Sequence, residues 1–215
     1  MPKIRMVWWD YGRVLFDYHG DELMEELSRV SVPQIPPHEV YRRMQEKGIV
    51  KQYDLGAIRT DEFLSEVQKL IGFSDIPAFI KLWNRTLQPN RLFWKAVGAL
   101  RRNSYLQGVI SNTNELQTDY IEKVLACGSI MEFRPRIYSY REGILKPDPL
   151  IYQLALHRAN EEYPWGEEIL PEECVFVDDR IENVEAARAL GWYAIHHPPF
   201  VAGTLYRLAE LGVKI

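Results

Sequence analysis

Five side chains that could perform chemistry together follow apolar runs of the sequence, either at the end of the run or in the next loop: Asp10, Ser111, Lys146, Asp178 and Asp179. Carboxylate oxygens are hard ligands that suit Mg²⁺, and lysine and serine donors suit the oxygens of a phosphate group. A carboxylate can also attack phosphorus and form an aspartyl-phosphate, which divides one difficult step into two. If the fold brings them together, these residue types favour metal-assisted phosphoryl transfer.

The elements that must position these side chains are predicted from hydrophobic patterns. The run from Ile4 to Trp9 is apolar apart from Arg5, which is typical of a strand covered on both faces. Amphipathic helices alternate with the later apolar runs, and this alternation predicts parallel pairing with right-handed crossovers. The carboxyl ends of such strands meet at one crevice, so the five side chains are expected to share a site. The predicted strands cover residues 4–9, 105–110, 136–140, 174–177 and 192–195.

A helical segment interrupts this pattern directly after the first strand. Apolar residues at helical spacing recur throughout residues 19–90, with Asp21 and Thr60 as candidate N-caps. The expected fold class is therefore α/β, a doubly wound parallel sheet with an inserted all-helical domain. Residues 1–18 and 91–215 are expected to form the core domain, and residues 19–90 the insert.

Composition and charge narrow the class of partner. The chain has 215 residues, 47% hydrophobic and 26% charged, and a formal net charge of -4. This charge provides no electrostatic footprint for nucleic acid or an anionic membrane, so a small-molecule partner is expected. Cys127 and Cys174 lie far apart and favour reduced thiols, and no targeting segment is visible, so a cytoplasmic location is expected. Both a monomer and a homodimer are compatible with the sequence.

Four segments, in this order and spacing, resemble the four motifs of the haloacid dehalogenase (HAD) superfamily of hydrolases: WWDYGRVLF, VISNTN, LKPDPLIY and VFVDDRIENVEAARALG. The resemblance covers the whole chain and implies a Rossmann-like core, with residues 19–90 as the helical cap domain. The second, third and fourth segments look most like the bacterial α-D-glucose-1-phosphate phosphatase branch. The resemblance implies a Mg²⁺-dependent phosphatase that hydrolyses a small phosphorylated metabolite, with a sugar phosphate favoured, through an aspartyl-phosphate.

The resemblance also implies catalytic and substrate-binding roles for individual positions. Asp10 matches the nucleophile and a metal ligand. Ser111 matches the hydroxyl that binds phosphate, assisted by the backbone N–H of Asn112. Lys146 matches the lysine that orients the nucleophile and neutralises phosphate. Arg13, unusual at its position, could contact substrate phosphate or face solvent.

The remaining matched positions belong to the implied metal site. Asp179 matches the principal Mg²⁺ carboxylate, and Asp178 matches either a second ligand or a residue that supports the ligands. The backbone carbonyl of Gly12 would complete the protein ligands, and Asn183 would support the loop.

Gly12 departs from the main pattern of the family, in which an aspartate two positions after the nucleophile transfers protons. Glycine has no side chain for this task, and Asp17 or His19 could replace it. The absence also leaves two alternatives open, a catalytically weak or idle binding protein and a metal-independent 2-haloacid dehalogenase. The pair Asp178-Asp179 argues against the dehalogenase, because these carboxylates and Asp10 would repel one another without a cation.

Overall fold

A computed structural model describes residues 3–125, 130–164, 166–197 and 200–215 of the chain. Five parallel strands form its main sheet, in the order β5-β4-β1-β6-β7, and two further strands pair antiparallel. The predicted α/β class with a parallel sheet is thereby confirmed. The strands are β1 (Met6–Trp9), β2 (Phe16–Tyr18), β3 (Leu87–Pro89), β4 (Leu106–Ser111), β5 (Arg136–Tyr138), β6 (Cys174–Asp178) and β7 (Tyr193–His196).

Helices cover both faces of this sheet and fill the segment between β2 and β3. A short π-helix at Tyr120–Leu125 and two 3₁₀ turns, Ile130–Glu132 and Pro171–Glu173, complete the described elements. The α-helices are α1 (Gly20–Val30), α2 (Pro37–Lys47), α3 (Ile49–Asp54), α4 (Thr60–Ile71), α5 (Ile76–Arg85), α6 (Arg91–Arg102), α7 (Glu115–Asp119), α8 (Ser139–Glu142), α9 (Pro149–Glu162), α10 (Ile181–Ala189) and α11 (Val201–Glu210).

Strand β1 is the centre of the sheet because its residues are buried on both faces. Val7 and Trp9 belong to the apolar cluster on the side of α6 and α11. Met6 and Trp8 point the other way, into the cluster that α9 and α10 cover. Successive side chains of a strand alternate between faces, so a continuous apolar run is what a doubly covered strand requires.

Helices α1 to α5 form a separate apolar cluster between β2 and β3, and they are called the helical insert below. The two segments that connect the insert with the core lie side by side, because β2 pairs antiparallel with β3. The register pairs Phe16 with Pro89, Asp17 with Gln88 and Tyr18 with Leu87. These paired strands, called the hinge strands below for their position, connect the insert with the core. The aromatic side chains of Phe63, Phe79 and Trp83 lie against one another inside the insert.

Several predicted boundaries and caps are wrong. Residues 87–89, predicted as part of an all-helical segment, form β3, because they pair with β2. The predicted strand 136–140 ends at Tyr138, and Ser139 already begins α8. The N-cap of α1 is His19 rather than Asp21, and that of α4 is Arg59 rather than Thr60.

The two cysteines differ in what the structure describes of them. Cys174 is buried in β6 as a free thiol, and burial raises its pKa to about 12. Cys127 lies outside the described residues. Within the described ranges, no helix has the length and apolar character needed to cross a membrane.

Candidate active site

The register of the central strands brings the predicted residues to one edge of the sheet. Trp9 pairs with Val109 of β4 and with Val177 of β6. The next residue, Asp10, continues the pairing by donating its backbone N–H to the Val177 carbonyl at 3.0 Å. Asp10 therefore lies beside Asp178 and close to Ser111, at the point where strand order reverses and an open α/β sheet forms a crevice.

The Lys146 ammonium lies between two of these carboxylates. Its Nζ is 2.8 Å from Asp10 Oδ1 and 2.6 Å from Asp178 Oδ2, and it donates to the Ile110 carbonyl at 2.9 Å. These three contacts use all three N–H donors of the group. Lys146 is 5% exposed. Burial lowers its pKa, but the charges of Asp10 and Asp178 outweigh this effect and raise the pKa above its ordinary value.

Asp178 is fully buried and is anchored on both oxygens. Oδ1 accepts from the Arg180 backbone N–H at 2.8 Å and from Asn183 Nδ2 at 2.9 Å, whereas Oδ2 accepts from Lys146. The amide of Asn183 thus contacts Asp178 directly, as a supporting residue would. A buried carboxylate with this many donors is held in a single orientation.

Three carboxylates converge at the edge of the sheet. One oxygen from each of Asp10, Asp178 and Asp179 lies within 4.8 Å of the other two. Burial raises the pKa of Asp10 to about 7, Lys146 opposes this rise, and the charges of Asp178 and Asp179 add to it. Burial and Asp178 likewise raise the pKa of Asp179.

These electrostatics fit a divalent cation. Three ionised carboxylates and one ammonium leave two negative charges in a site that excludes most water. The donors are all hard oxygens, the type that Mg²⁺ prefers. Burial is the main cause of the raised pKa values, and a bound cation would favour the ionised carboxylates by offsetting both this burial and their mutual repulsion.

The last residue of β4 and the residue after it are the predicted phosphate contacts. Ser111 is almost completely buried, and its hydroxyl has no hydrogen-bond partner within the described ranges. The Asn112 side chain is already engaged, since its Oδ1 accepts from the Lys146 backbone N–H at 2.8 Å and its Nδ2 donates to the Lys146 carbonyl at 3.0 Å. This two-bond clamp, which the sequence pattern did not indicate, holds the backbone of Lys146 beside β4.

Gly12 leaves open space where the family's usual acid would stand. A Cβ built on Gly12 meets no atom within 4 Å. The next residue, Arg13, has a positive φ of 58° and a largely exposed side chain. Its guanidinium lies 3.7 Å from Asp179 Oδ2 and 5.8 Å from the centre of the Tyr18 ring. Arg13 therefore lies at the rim of the carboxylate cluster.

The two residues suggested as substitutes for that acid are engaged at the hinge. Asp17, in β2, accepts from Asn90 Nδ2 at 2.9 Å, and Asn90 directly follows β3. His19 lies 3.3 Å from the Glu22 carboxylate in the first turn of α1. Neither contact connects the residue with Asp10 or Lys146.

Sequence patterns also missed a second contact between the insert and the core. At the end of α3, Asp54 Oδ1 accepts from Asn114 Nδ2 at 2.7 Å, and the Asp54 backbone carbonyl accepts from the Ser139 hydroxyl. The Tyr53 hydroxyl accepts from the Leu116 backbone N–H at 3.2 Å. Only Asn114 belonged to a recognised segment, and nothing local to Asp54 indicated that it would reach the core.

The fold and this site define a hydrolase class. Residues 21–191 match the family model of haloacid dehalogenase-like hydrolases, and the chain belongs to that family. The matched range begins after β1, so Asp10 and Gly12 precede it.

Solved structures share the fold at low sequence identity. A HAD family enzyme from Bacteroides thetaiotaomicron, in complex with magnesium and inorganic phosphate, is 22% identical with a TM-score of 0.74, covering 91% of this chain and 95% of its own. The L-2-haloacid dehalogenase from Xanthobacter autotrophicus with chloropropionic acid covalently bound is 18% identical with a TM-score of 0.61, covering 99% of this chain and 85% of its own.

A curated relative is much longer than this chain. Acyl-CoA dehydrogenase family member 10 from Mus musculus is 27% identical over 198 residues, which cover 89% of this chain but only 18% of the mouse protein. The chain thus spans less than a fifth of the length of that relative.

Proposed function

We propose that the protein is a Mg²⁺-dependent phosphatase that acts on a small phosphorylated metabolite through an aspartyl-phosphate on Asp10. The observation that carries this proposal is the position of Lys146 between Asp10 and Asp178, beside a third carboxylate. The arrangement offers a nucleophile, a cation for the phosphate oxygens and an oxygen site for a divalent metal. The magnesium and phosphate bound by the Bacteroides enzyme support the same chemistry here.

Each side chain has a defined task in this proposal. An oxygen of Asp10 attacks phosphorus, and Lys146 neutralises the carboxylate and the transferring group. Ser111 donates its free hydroxyl to a phosphate oxygen, assisted by the Asn112 backbone N–H. Arg13 reaches the substrate from the rim of the cluster.

The metal would be held by carboxylates that the structure brings together. Asp10, Asp179 and the Gly12 carbonyl would bind Mg²⁺, and Asp178 either joins them or orients Lys146. When bound, the ion supplies charge neutralisation for phosphate oxygens that are aligned with Asp10.

The insert would act as a cap domain. We assign residues 1–18 and 91–215 to the core and residues 19–90 to the cap. The separate apolar cluster of the insert and the hinge strands β2 and β3 support this division. The cap encloses a small substrate, and the motif resemblance favours a sugar phosphate such as an aldose 1-phosphate.

A substrate panel tests the proposal. Purified protein with Mg²⁺ should release phosphate from at least one sugar phosphate or aryl phosphate, and EDTA should abolish the release. Asp10→Asn should lower turnover by at least ~1,000-fold, since it removes the nucleophile. Asp61→Asn, on an exposed turn of α4, is the matched control and should leave turnover unchanged.

Two other outcomes would favour a function other than phosphatase. Release of halide from 2-haloacids in EDTA would favour a dehalogenase, for which the fold shared with the Xanthobacter enzyme is a precedent. Tight binding of beryllofluoride with Mg²⁺ and no turnover would identify an idle binding protein, as the missing side chain at Gly12 allows.

A further inference from the structure

Phosphate ester hydrolysis requires a proton donor that the first motif of this chain does not contain. The departing alkoxide is a poor leaving group unless its oxygen is protonated as the bond to phosphorus breaks. At Gly12 no side chain is present, and Asp17 and His19 are engaged at the hinge. A donor must therefore come from another part of the molecule.

The direction of attack indicates which part that is. In phosphoryl transfer the attacking and leaving oxygens lie roughly in line across phosphorus. With Asp10 at the carboxyl edge of the sheet, the leaving oxygen must point away from the sheet. The helical insert covers this direction, because the end of α3 contacts Asn114 beyond β4 and Ser139 beyond β5.

The turn after α3 is closely fitted to the core. Gly56 has a positive φ of 72°, and a Cβ at this position would lie 2.2 Å from the Tyr140 carbonyl oxygen. Only a residue without a side chain permits this approach. Asp54, two residues earlier, is held at the same place by its backbone carbonyl, which accepts from the Ser139 hydroxyl.

Asp54 is the carboxyl group that this contact brings toward the site. Its Oδ1 accepts from Asn114, which lies three residues after Ser111. No described cation forms an ion pair with it, and its second oxygen accepts no hydrogen bond from a described residue. Burial raises the pKa of Asp54 to about 6, against the opposing effect of the hydrogen bond from Asn114.

Tyr18 lies close to Asp54 and to Arg13, the residue at the rim of the carboxylate cluster. The charges of both Asp54 and Arg13 influence the pKa of Tyr18, which burial raises. Arg13 lies against the Tyr18 ring and reaches Asp179. Asp54 and Arg13 thus share Tyr18 as a neighbour, and Arg13 in turn lies beside Asp179.

We propose that Asp54 is the general acid and base of the reaction, supplied by the insert in place of the side chain that Gly12 lacks. This inference rests on the proposed phosphatase function. It assigns a catalytic task to a residue outside the four motif segments.

Asp54 carries out both proton transfers of the reaction. As the Asp10 oxygen bonds to phosphorus and the bond to the leaving oxygen breaks, the protonated carboxyl of Asp54 gives its proton to that oxygen, and the alcohol departs. The resulting carboxylate then takes a proton from a water molecule whose oxygen attacks the phosphorus of the aspartyl-phosphate. Phosphate leaves, Asp10 is regenerated, and Asp54 is protonated again.

The test compares substrates with different needs for a proton. Wild-type protein and Asp54→Asn are assayed with Mg²⁺ on glycerol 1-phosphate and on phenyl phosphates of graded leaving-group acidity. We expect Asp54→Asn to lower kcat/KM on the alkyl ester by at least ~100-fold but on 4-nitrophenyl phosphate by only about threefold, because that leaving group departs without a proton.

A rescue variant separates catalysis from folding. Asp54→Asn combined with Gly12→Asp should recover at least ~10-fold of the lost activity on the alkyl ester, since the new carboxyl occupies open space beside Asp10. Asp61→Asn is the control for loss of a carboxylate from the insert. Circular dichroism and thermal unfolding establish that each variant is folded.

The outcomes distinguish this inference from the function on which it rests. Equal losses on all esters would assign Asp54 to positioning and overturn the acid-base role, as would unchanged activity of Asp54→Asn. Absence of phosphate release by the wild-type protein on the whole panel would overturn the phosphatase proposal itself, and the inference with it.

Discussion

At the scale of single residues, the central feature is a buried lysine that balances two carboxylates. Lys146 makes three short contacts and is almost inaccessible to water. A buried ion pair contributes little net stability when complete, but removing one partner leaves an uncompensated charge. The same ammonium that suits phosphate binding is thus needed to keep Asp10 and Asp178 close together.

Lys146→Met is therefore expected to destabilise the protein in the absence of metal. The free energy of unfolding in EDTA should fall by about 3 kcal/mol or more, because Asp10 and Asp178 then face each other uncompensated. Mg²⁺ should restore part of the loss by neutralising the same carboxylates. Urea denaturation followed by circular dichroism, in EDTA and in Mg²⁺, measures both effects.

The matched control is a lysine that forms an ion pair at the surface. Lys123 Nζ lies 2.6 Å from Asp119 Oδ2, with 69% of its side chain exposed. Lys123→Met should change the free energy of unfolding by less than about 1 kcal/mol. A similar small change for Lys146→Met in EDTA would contradict the balancing role.

At the scale of elements, the site depends on how the end of α3 docks on the core. The contact joins Asp54 to Asn114 and Ser139, and the apolar cluster of the insert reaches Leu116 of α7. Ser111 ends β4, and the short loop that begins at Asn112 leads directly to Asn114 in this contact. A change in the docking of the insert should therefore also move the predicted phosphate-binding residues Ser111 and Asn112.

Gly56→Ala tests this docking. Both the positive φ and the close Tyr140 carbonyl oppose a side chain at this position. The free energy of unfolding should fall by roughly 2–4 kcal/mol, from left-handed strain together with overpacking. Phosphatase activity should fall as well, because the turn that holds Asp54 must shift.

Gly48→Ala is the matched control for backbone strain alone. Gly48 has a positive φ of 59°, but a Cβ there meets nothing within 4 Å. Gly48→Ala should lower the free energy of unfolding, measured by urea denaturation, by only about 1–2 kcal/mol. Equal losses for the two variants would mean that the approach of Gly56 to Tyr140 is unimportant in solution.

At the scale of the whole molecule, the ionisation of Asp54 makes the free energy of unfolding depend on pH. Its pKa rises from an ordinary 3.8 to about 6 on folding. Between these values the folded state retains a proton that the unfolded state has released, so stability falls as pH rises. Above about pH 6 the carboxyl is ionised in both states and the loss is complete.

Asp54→Asn should consequently stabilise the protein at neutral pH. The amide oxygen can still accept from Asn114, and no charge is buried. The gain in free energy of unfolding should be near zero below pH 4 and reach about 1–3 kcal/mol by pH 7.5. Urea denaturation across this range, with Asp61→Asn as reference, measures it; a gain that is independent of pH would contradict the burial argument.

The two tyrosines next to Asp54 do not ionise in this pH window. The neighbouring Tyr18 and Tyr53 hydroxyls ionise well above it, since burial raises both pKa values, that of Tyr53 to about 12. If Asp54 is retained for catalysis, Asp54→Asn should be more stable than the wild-type protein but less active.

The sequence by itself determined the fold class and the residues that meet at the sheet edge. Hydrophobic periodicity is a local property, and it revealed β1, β4 and β6 because their side chains are buried on both faces. Parallel topology then requires their carboxyl ends to share one crevice. The convergence of Asp10 and Asp178 follows from that rule alone.

Only the tertiary structure decided how these residues are supported and what faces them. The Asn112 clamp on Lys146 spans 34 positions of the chain, and the contact between Asp54 and Asn114 spans 60. No periodic pattern encodes such pairs, because packing of the insert on the core selects them. From the sequence, Gly12 is a missing side chain, whereas the folded protein joins the carboxyl of Asp54 in the insert to Asn114, three residues after Ser111.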